Sequence, residues 1–216
     1  VKCLYDVDRC VSVPSNITVT VYDMLVVAHI VNPCDKGYKF ADFTPKCLVP
    51  YLTRNTSESV TQIDAVWDTY PDENTTKELT RYKSDLYTFA GRALVRQNIA
   101  GRDIVSSCGE DCLTNNGHID LSFLQNCNLN EADTRILLHL LHASTNGQEG
   151  HGKKTVDSDI LVLLVAFFHL LGHDKFWLGY GKGRDYREIP VHEIARFFGR
   201  RKARALLTFH GLTGRE

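Results

Sequence analysis

The chain has 216 residues, a formal net charge of −1, 43% hydrophobic and 24% charged residues; this describes one good-sized globular domain, or one with a short appendage, and excludes a fibrous or disordered chain. No apolar run reaches the ~18 residues that span a bilayer, and the first ten residues, with Asp6 and Asp8, contain no apolar stretch of the secretory type. Seven cysteines at irregular spacing do not make a complete disulfide framework, so buried free thiols in a reducing, intracellular compartment are expected, the nucleus included. Sequons at Asn16, Asn55 and Asn74 are common by chance and do not change that expectation.

In chain order, residues 1–16 read as an N-terminal extension. The β-branched run Ile17–Tyr22 predicts a strand ending in Asp23, and Ile63–Trp67 predicts a second ending in Asp68. Between them Pro33, Gly37, Pro45 and Pro50 break the chain into a loop and a short helix. Asn130 is a natural N-cap for a helix from Glu131 to about Ser144. On it Ile136, Leu137, Leu140 and Leu141 form one apolar face; Arg135, His139 and His142 lie off that face, and the two histidines are expected on the surface. A short strand should lead into Asp157-Ser-Asp159, followed by an apolar helix over 160–171, a strand over Phe176–Tyr180, and a helix opening at Pro190 and running toward Phe198. Strands separated by helices indicate an α/β fold, a mostly parallel twisted sheet with helices on both faces.

In such sheets functional groups gather at the carboxyl ends of the strands. Asp23, Asp68, Asp157 and Asp159 all fall at predicted strand ends, while Glu131 and Asp133 open a helix. If Asp157 and Asp159 lie on an extended segment, they share one face. Carboxylates about 4 Å apart repel by ~4 kcal/mol at an effective dielectric near 20, so such a cluster calls for divalent cations. Oxygen ligands suit Mg²⁺ or Mn²⁺, and two such ions can hydrolyse a phosphodiester. Each acid also has a plain structural reading as a helix cap, a turn residue or a macrodipole partner.

Charge is unevenly spread. Arg184, Arg187, Arg196, Arg200, Arg201, Lys202 and Arg204 crowd the C-terminal region, as a phosphate-binding surface or as a solvated helix face. Cys108, Cys112, His118 and Cys127 offer a loose zinc pattern. His139 and His142, at i and i+3, have metal-binding chemistry, although a surface position is the expectation.

The order VYD, AVWDTY, NEADTR, TVDSDILVLL, FHGLTGRE resembles the PIN/flap-endonuclease-like nuclease superfamily. More closely, NEADTRILLHLLHA, TVDSDILVLL, IPVHEIARFF and FHGLTG resemble a group of transposon-associated animal proteins. The resemblance covers about 17–216 and implies a domain that continues past Glu216. It implies a divalent-metal-dependent nuclease acting on DNA or RNA, with Mg²⁺ or Mn²⁺ held by Glu131, Asp133, Asp157, Asp159 and Glu216. Asp23 and Asp68 would complete the site, and Lys77 and Arg81 would contact nucleic acid; an ordinary surface pair on one helix is the other reading of these two. The chain departs from the family in Gly214-Arg215-Glu216, where an Asp is usual, and in the weakly apolar segment before Asp157. Two alternatives therefore stand beside the nuclease: a catalytically degenerate domain that binds nucleic acid or protein, and a zinc-stabilised interaction module.

Overall fold

A computed structural model of the chain describes residues 17–31, 39–69, 77–129, 131–148, 150–155, 158–172, 174–181, 184 and 186–213. For residues 40, 77–81, 150–155 and 158 it describes the backbone alone.

Parallel pairing organises the domain. Strands β1 (Val19–Asp23), β2 (Gln62–Val66), β3 (Asp103–Cys108), β5 (Gly150–Thr155) and β6 (Trp177–Tyr180) run parallel in the spatial order β3-β2-β1-β5-β6. Antiparallel strands close the two edges, β4 (Asp111–Thr114) beside β3 and β7 (Arg187–Pro190) beside β6. The chain first lays strands outward from β1 to β3, then returns to place β5 on the other side of β1. The reversal creates a switch point between β1 and β5, the location in open α/β sheets where a crevice forms beyond the carboxyl ends of the strands.

Helices cover both faces because alternate residues of each strand are apolar on opposite sides. In β1, Val21 packs with Ile136, Leu140, Leu161 and Leu164, from α5 (Ala132–Thr145) and α6 (Ser158–Phe167), and with Ile194 of α7 (Val191–Thr213). Its neighbour Tyr22 turns the other way, toward Met24 of α1 (Met24–Ile30), Leu52 of α3 (Val49–Asn55) and Leu94 of α4 (Lys77–Val95). A further turn of helix, α2 (Phe40–Phe43), leads through a wide π turn over Thr44–Leu48 into α3. Pro45 and Pro50, expected to break this region, instead lie inside one continuous helical run, in which Phe43 and Leu48 are themselves helical.

The mostly parallel sheet covered on both faces is thus present, and the predicted strands around residues 17–22, 63–67 and 176–180 fall on β1, β2 and β6. The apolar helix over 160–171 is α6 and a tight turn over Phe168–Leu170. Three features differ from the sequence reading. Between β2 and α5 lie α4 and the β3–β4 hairpin, which no sequence motif marked; the hairpin is turned by two residues with Gly109 at φ 65°, a conformation that favours glycine. An edge strand, β7, precedes Val191. Helix α7 continues to Thr213 past a kink at Gly199, where φ is 69° and ψ is 160°. Position 130, the expected N-cap of α5, lies outside the described residues, and the helix takes Glu131 as N-cap without a side-chain capping bond.

Gly91 sets how closely α4 lies on β3. A Cβ there would come within 2.8 Å of Cys108 Sγ and 2.9 Å of both Ser106 Oγ and the Ser107 carbonyl. Backbone cannot retreat as a flexible side chain can, so Gly91→Ala is expected to destabilise the domain by about 1–3 kcal/mol through overpacking. Its helix propensity alone would predict a gain; the sign of the shift in urea midpoint decides between them.

Candidate functional site at the carboxyl edge

Among the described acids named from the sequence, Asp23 and Asp68 lie at the carboxyl ends of their strands and each has a specific local role. Asp23 ends β1 and caps α1: its Oδ1 accepts the Leu25 and Val26 N–H groups at 3.0 and 3.2 Å. Asp68 lies just past β2, and its Oδ1 accepts the Ala132 N–H at 2.7 Å. The carboxylate thus reaches across to satisfy an orphan donor at the start of α5, where its charge also favours the helix dipole. Glu131 is exposed, and Asp133 lies half-buried in the first turn of the same helix.

Asp159 lies in the first turn of α6, not on a strand. The expectation that Asp157 and Asp159 share a strand face therefore does not hold for Asp159, which is exposed and accepts a 2.6 Å hydrogen bond from His210 Nε2. Asp157 and Glu216 lie outside the described residues, as do the side chains of Lys77 and Arg81 on the first turns of α4. Oxygen donors of this kind suit Mg²⁺ or Mn²⁺, but among the described residues no three of His, Cys, Asp or Glu are grouped closely enough to hold a metal ion.

A second constellation, absent from the sequence reading, lies on the buried face of α5. Arg135, His139 and His142 are 1%, 1% and 4% exposed, which corrects the expected surface position of the two histidines. Spaced at i, i+4 and i+7, they form a polar stripe along the side of the helix that meets the sheet and the β4–α5 connection. Arg135 Nη1 donates to Thr69 Oγ1 at 2.8 Å and to the Gly109 carbonyl at 2.6 Å, tying together the loops after β2 and β3. His142 Nε2 donates to the Asp120 carbonyl at 2.7 Å. His139 Nδ1 donates to Asp64 Oδ2 at 2.7 Å, and its Nε2 lies 3.6 Å from Cys112 Sγ. Asp64, wholly buried in β2, also accepts from Gln62 Nε2 at 2.6 Å, and Gln148 Nε2 extends the chain to Gln62 Oε1 at 3.2 Å.

Burial alone would lower the His139 pKa. The hydrogen bonds from Asp64 and Cys112, together with their charges, outweigh it and raise the value to about 9. The ring is therefore held as imidazolium against a carboxylate, sealed from solvent. A His–Asp pair beside a thiol has the makings of nucleophilic catalysis, but here no member is open to a substrate, so its work is structural. The missed signals were an acid within the apolar run IDAVW and three polar residues at helical spacing.

The zinc pattern is likewise redistributed. Cys108 and Cys112 are buried free thiols, whereas His118 is exposed and Cys127 half-buried. Burial, with Cys112 nearby, pushes the Cys108 thiol up to about 11, which makes it a poor ligand and a poor nucleophile at neutral pH. Among the described residues no helix is long and apolar enough to cross a membrane. No known family, curated protein or solved structure matches the chain.

The His139 pair carries a pH signature. Because its folded pKa lies above the ordinary value of 6.5, its stabilisation is complete below about pH 6.5 and is lost as pH rises through about 9. Urea midpoints of the wild type should fall across that window. Asp64→Asn should lower stability at pH 6 by about 3 kcal/mol, because one partner of a buried pair is removed, and should flatten the alkaline fall. A fall of equal size in both proteins would show that another group titrates.

Proposed function

We propose that the protein acts on nucleic-acid phosphodiesters as a divalent-metal-dependent nuclease, using carboxylates at the carboxyl edge of the sheet. The observation that carries this reading is the position of those carboxylates around the β1–β5 switch point. Asp23 ends β1, Asp68 follows the adjacent β2, Asp159 opens the helix after β5, and Asp133 opens α5, which Asp68 caps. Asp157 immediately precedes α6 in sequence and lies outside the described residues. Once bound, Mg²⁺ or Mn²⁺ supplies an activated water and charge stabilisation for phosphodiester cleavage. The chain's own part is to hold Asp23 and Asp68 in place, with the α1 and α5 N-termini sharing their charge. The buried thiols of Cys108 and Cys112 accord with a reducing, intracellular setting.

A second reading, a catalytically degenerate domain that binds nucleic acid without cutting it, draws on specific contacts. Asp23 and Asp68 spend an oxygen each on backbone N–H groups, and Asp159 is bonded to His210.

The two readings part in one set of measurements. For the nuclease, single-stranded or branched oligonucleotides are cleaved with Mg²⁺ or Mn²⁺ and not in EDTA. Asp133→Asn and Asp157→Asn each reduce cleavage at least ~100-fold, and Mn²⁺ raises the melting temperature of the wild type by several degrees through mass action. Binding without cleavage, with a melting temperature indifferent to Mn²⁺, selects the degenerate domain. Cleavage that survives EDTA or both substitutions rejects the metal mechanism.

A further inference from the structure

Helix α7 divides at Gly199 into two differently used segments. Before the kink, Val191, Ile194 and Ala195 bury into the core. After it, Ala203 is buried and Leu206 packs on the same cluster, so one narrow stripe faces inward. The rest of the surface is open. Arg200, Arg201, Lys202 and Arg204 are all exposed, and no Asp or Glu occurs between Arg200 and Thr213. None of the four cations makes an ion pair among the described residues. Four cations unpaired within five positions stand out in a chain of net charge −1.

Helix stability does not account for them. Arg200, Arg201 and Lys202 occupy the first turn of the segment that begins after Gly199, where the macrodipole is positive and disfavours cations. The aromatic residues beside them are equally unexplained by packing. Phe197 is 86% exposed, edge-on to Phe198, which packs against the core. Farther along the same helix, Phe209 is 65% and Leu212 81% exposed. At helical spacing Arg201, Arg204, Ala205, Thr208 and Leu212 share the outward side, with Lys202 and Phe209 on its flank.

The helix also leads to the candidate site. It leaves β7 at the edge where the parallel strands begin, packs along α6, and bonds through His210 to Asp159 at the edge where they end. We propose that this outer side of α7, from Phe197 to Leu212, is a track for single-stranded nucleic acid leading to the carboxyl edge. The proposal rests on the nucleic-acid reading above and specifies the strand type and the surface. The cations would hold the backbone phosphates, while Phe197 and Phe209 would stack with bases that only an unpaired strand exposes. A polyanion with accessible flat bases satisfies both halves of the surface, whereas an acidic protein satisfies the cations alone.

The test is fluorescence anisotropy of the full chain in EDTA, so that binding is read without cleavage, using labelled oligo-dT of about 20 nucleotides and a duplex of equal length across a series of salt concentrations. Wild type is expected to prefer the single strand. Phe197→Ala and Phe209→Ala should each weaken that binding about tenfold, near the loss of one stacked base, with an unchanged salt slope. The triple change Arg201→Gln, Lys202→Gln, Arg204→Gln should weaken binding and reduce the slope of log K against log salt by about 2, or ~0.7 per phosphate contact. All the substituted side chains are exposed, and melting curves matching wild type confirm an intact fold. No binding, binding by the triple variant equal to wild type, or a duplex preference indifferent to the Phe changes overturns the proposal. So does a dimer in sedimentation that Phe209→Ala converts to monomer, because the apolar face would then belong to a second copy. Loss of cleavage in Asp133→Asn with this binding intact tells against neither claim; cleavage undetectable in wild type with the binding intact rejects the nuclease reading and leaves the track standing.

Discussion

The hydrogen bond between His139 and Asp64 joins the helix layer on one face of the sheet to the interior of a central strand. A carboxylate buried in β2 costs several kcal/mol unless its charge and lone pairs are met. Gln62 meets one oxygen, and His139 meets the other. That requirement selects one rotation and one height for α5, because shifting the helix by a single residue would swing the ring away by about 100°. The aliphatic contacts of Ile136 and Leu140 supply most of the attraction but are less particular about register, since apolar side chains of similar size can exchange places. The buried pair thus contributes more to specificity than its net energy suggests.

With the register set by His139, the polar contacts one turn and two turns earlier follow. Arg135 falls where it can bind Thr69 and the Gly109 carbonyl, so the loops leaving β2 and β3 are held from above by one guanidinium. Ala132 falls where its N–H meets Asp68. The helix is therefore fastened at its start to the carboxyl edge and at its middle to the strand interior. Its opening acids, Glu131 and Asp133, come to the edge as a consequence of this docking.

Asp68 and Asp23 show how closely structure and chemistry overlap at such an edge. Each accepts hydrogen bonds from backbone N–H groups at the start of a helix. The same arrangement serves a helix cap and fixes each carboxylate at the carboxyl end of its strand. The basic segment of α7 comes to this edge from the opposite end of the molecule, through the contact of His210 with Asp159. That contact joins two helices through residues 51 apart in sequence.

The sequence by itself determined the alternation of strands and helices, the parallel two-sided sheet, and the location of Asp23 and Asp68 at strand ends. These depend on short-range periodicity and on the burial of a parallel strand on both faces, and the chain states both locally. It also carried the apolar helix after Asp159 and the uneven charge near the C-terminus. Local patterns did not reveal the hairpin of β3 and β4, whose signal is a two-residue turn at Gly109, nor the antiparallel edge formed by β7. They misassigned His139 and His142 and did not reveal that Arg135 is buried, because helix periodicity ranks polar residues as outward-facing unless a buried partner is known. Those partners, Thr69, Asp64 and the Asp120 carbonyl, lie 66, 75 and 22 residues away. Only the tertiary structure decided which polar groups would be sealed inside and which acids would be spent as caps, because the cost of burying a charge depends on what stands opposite it.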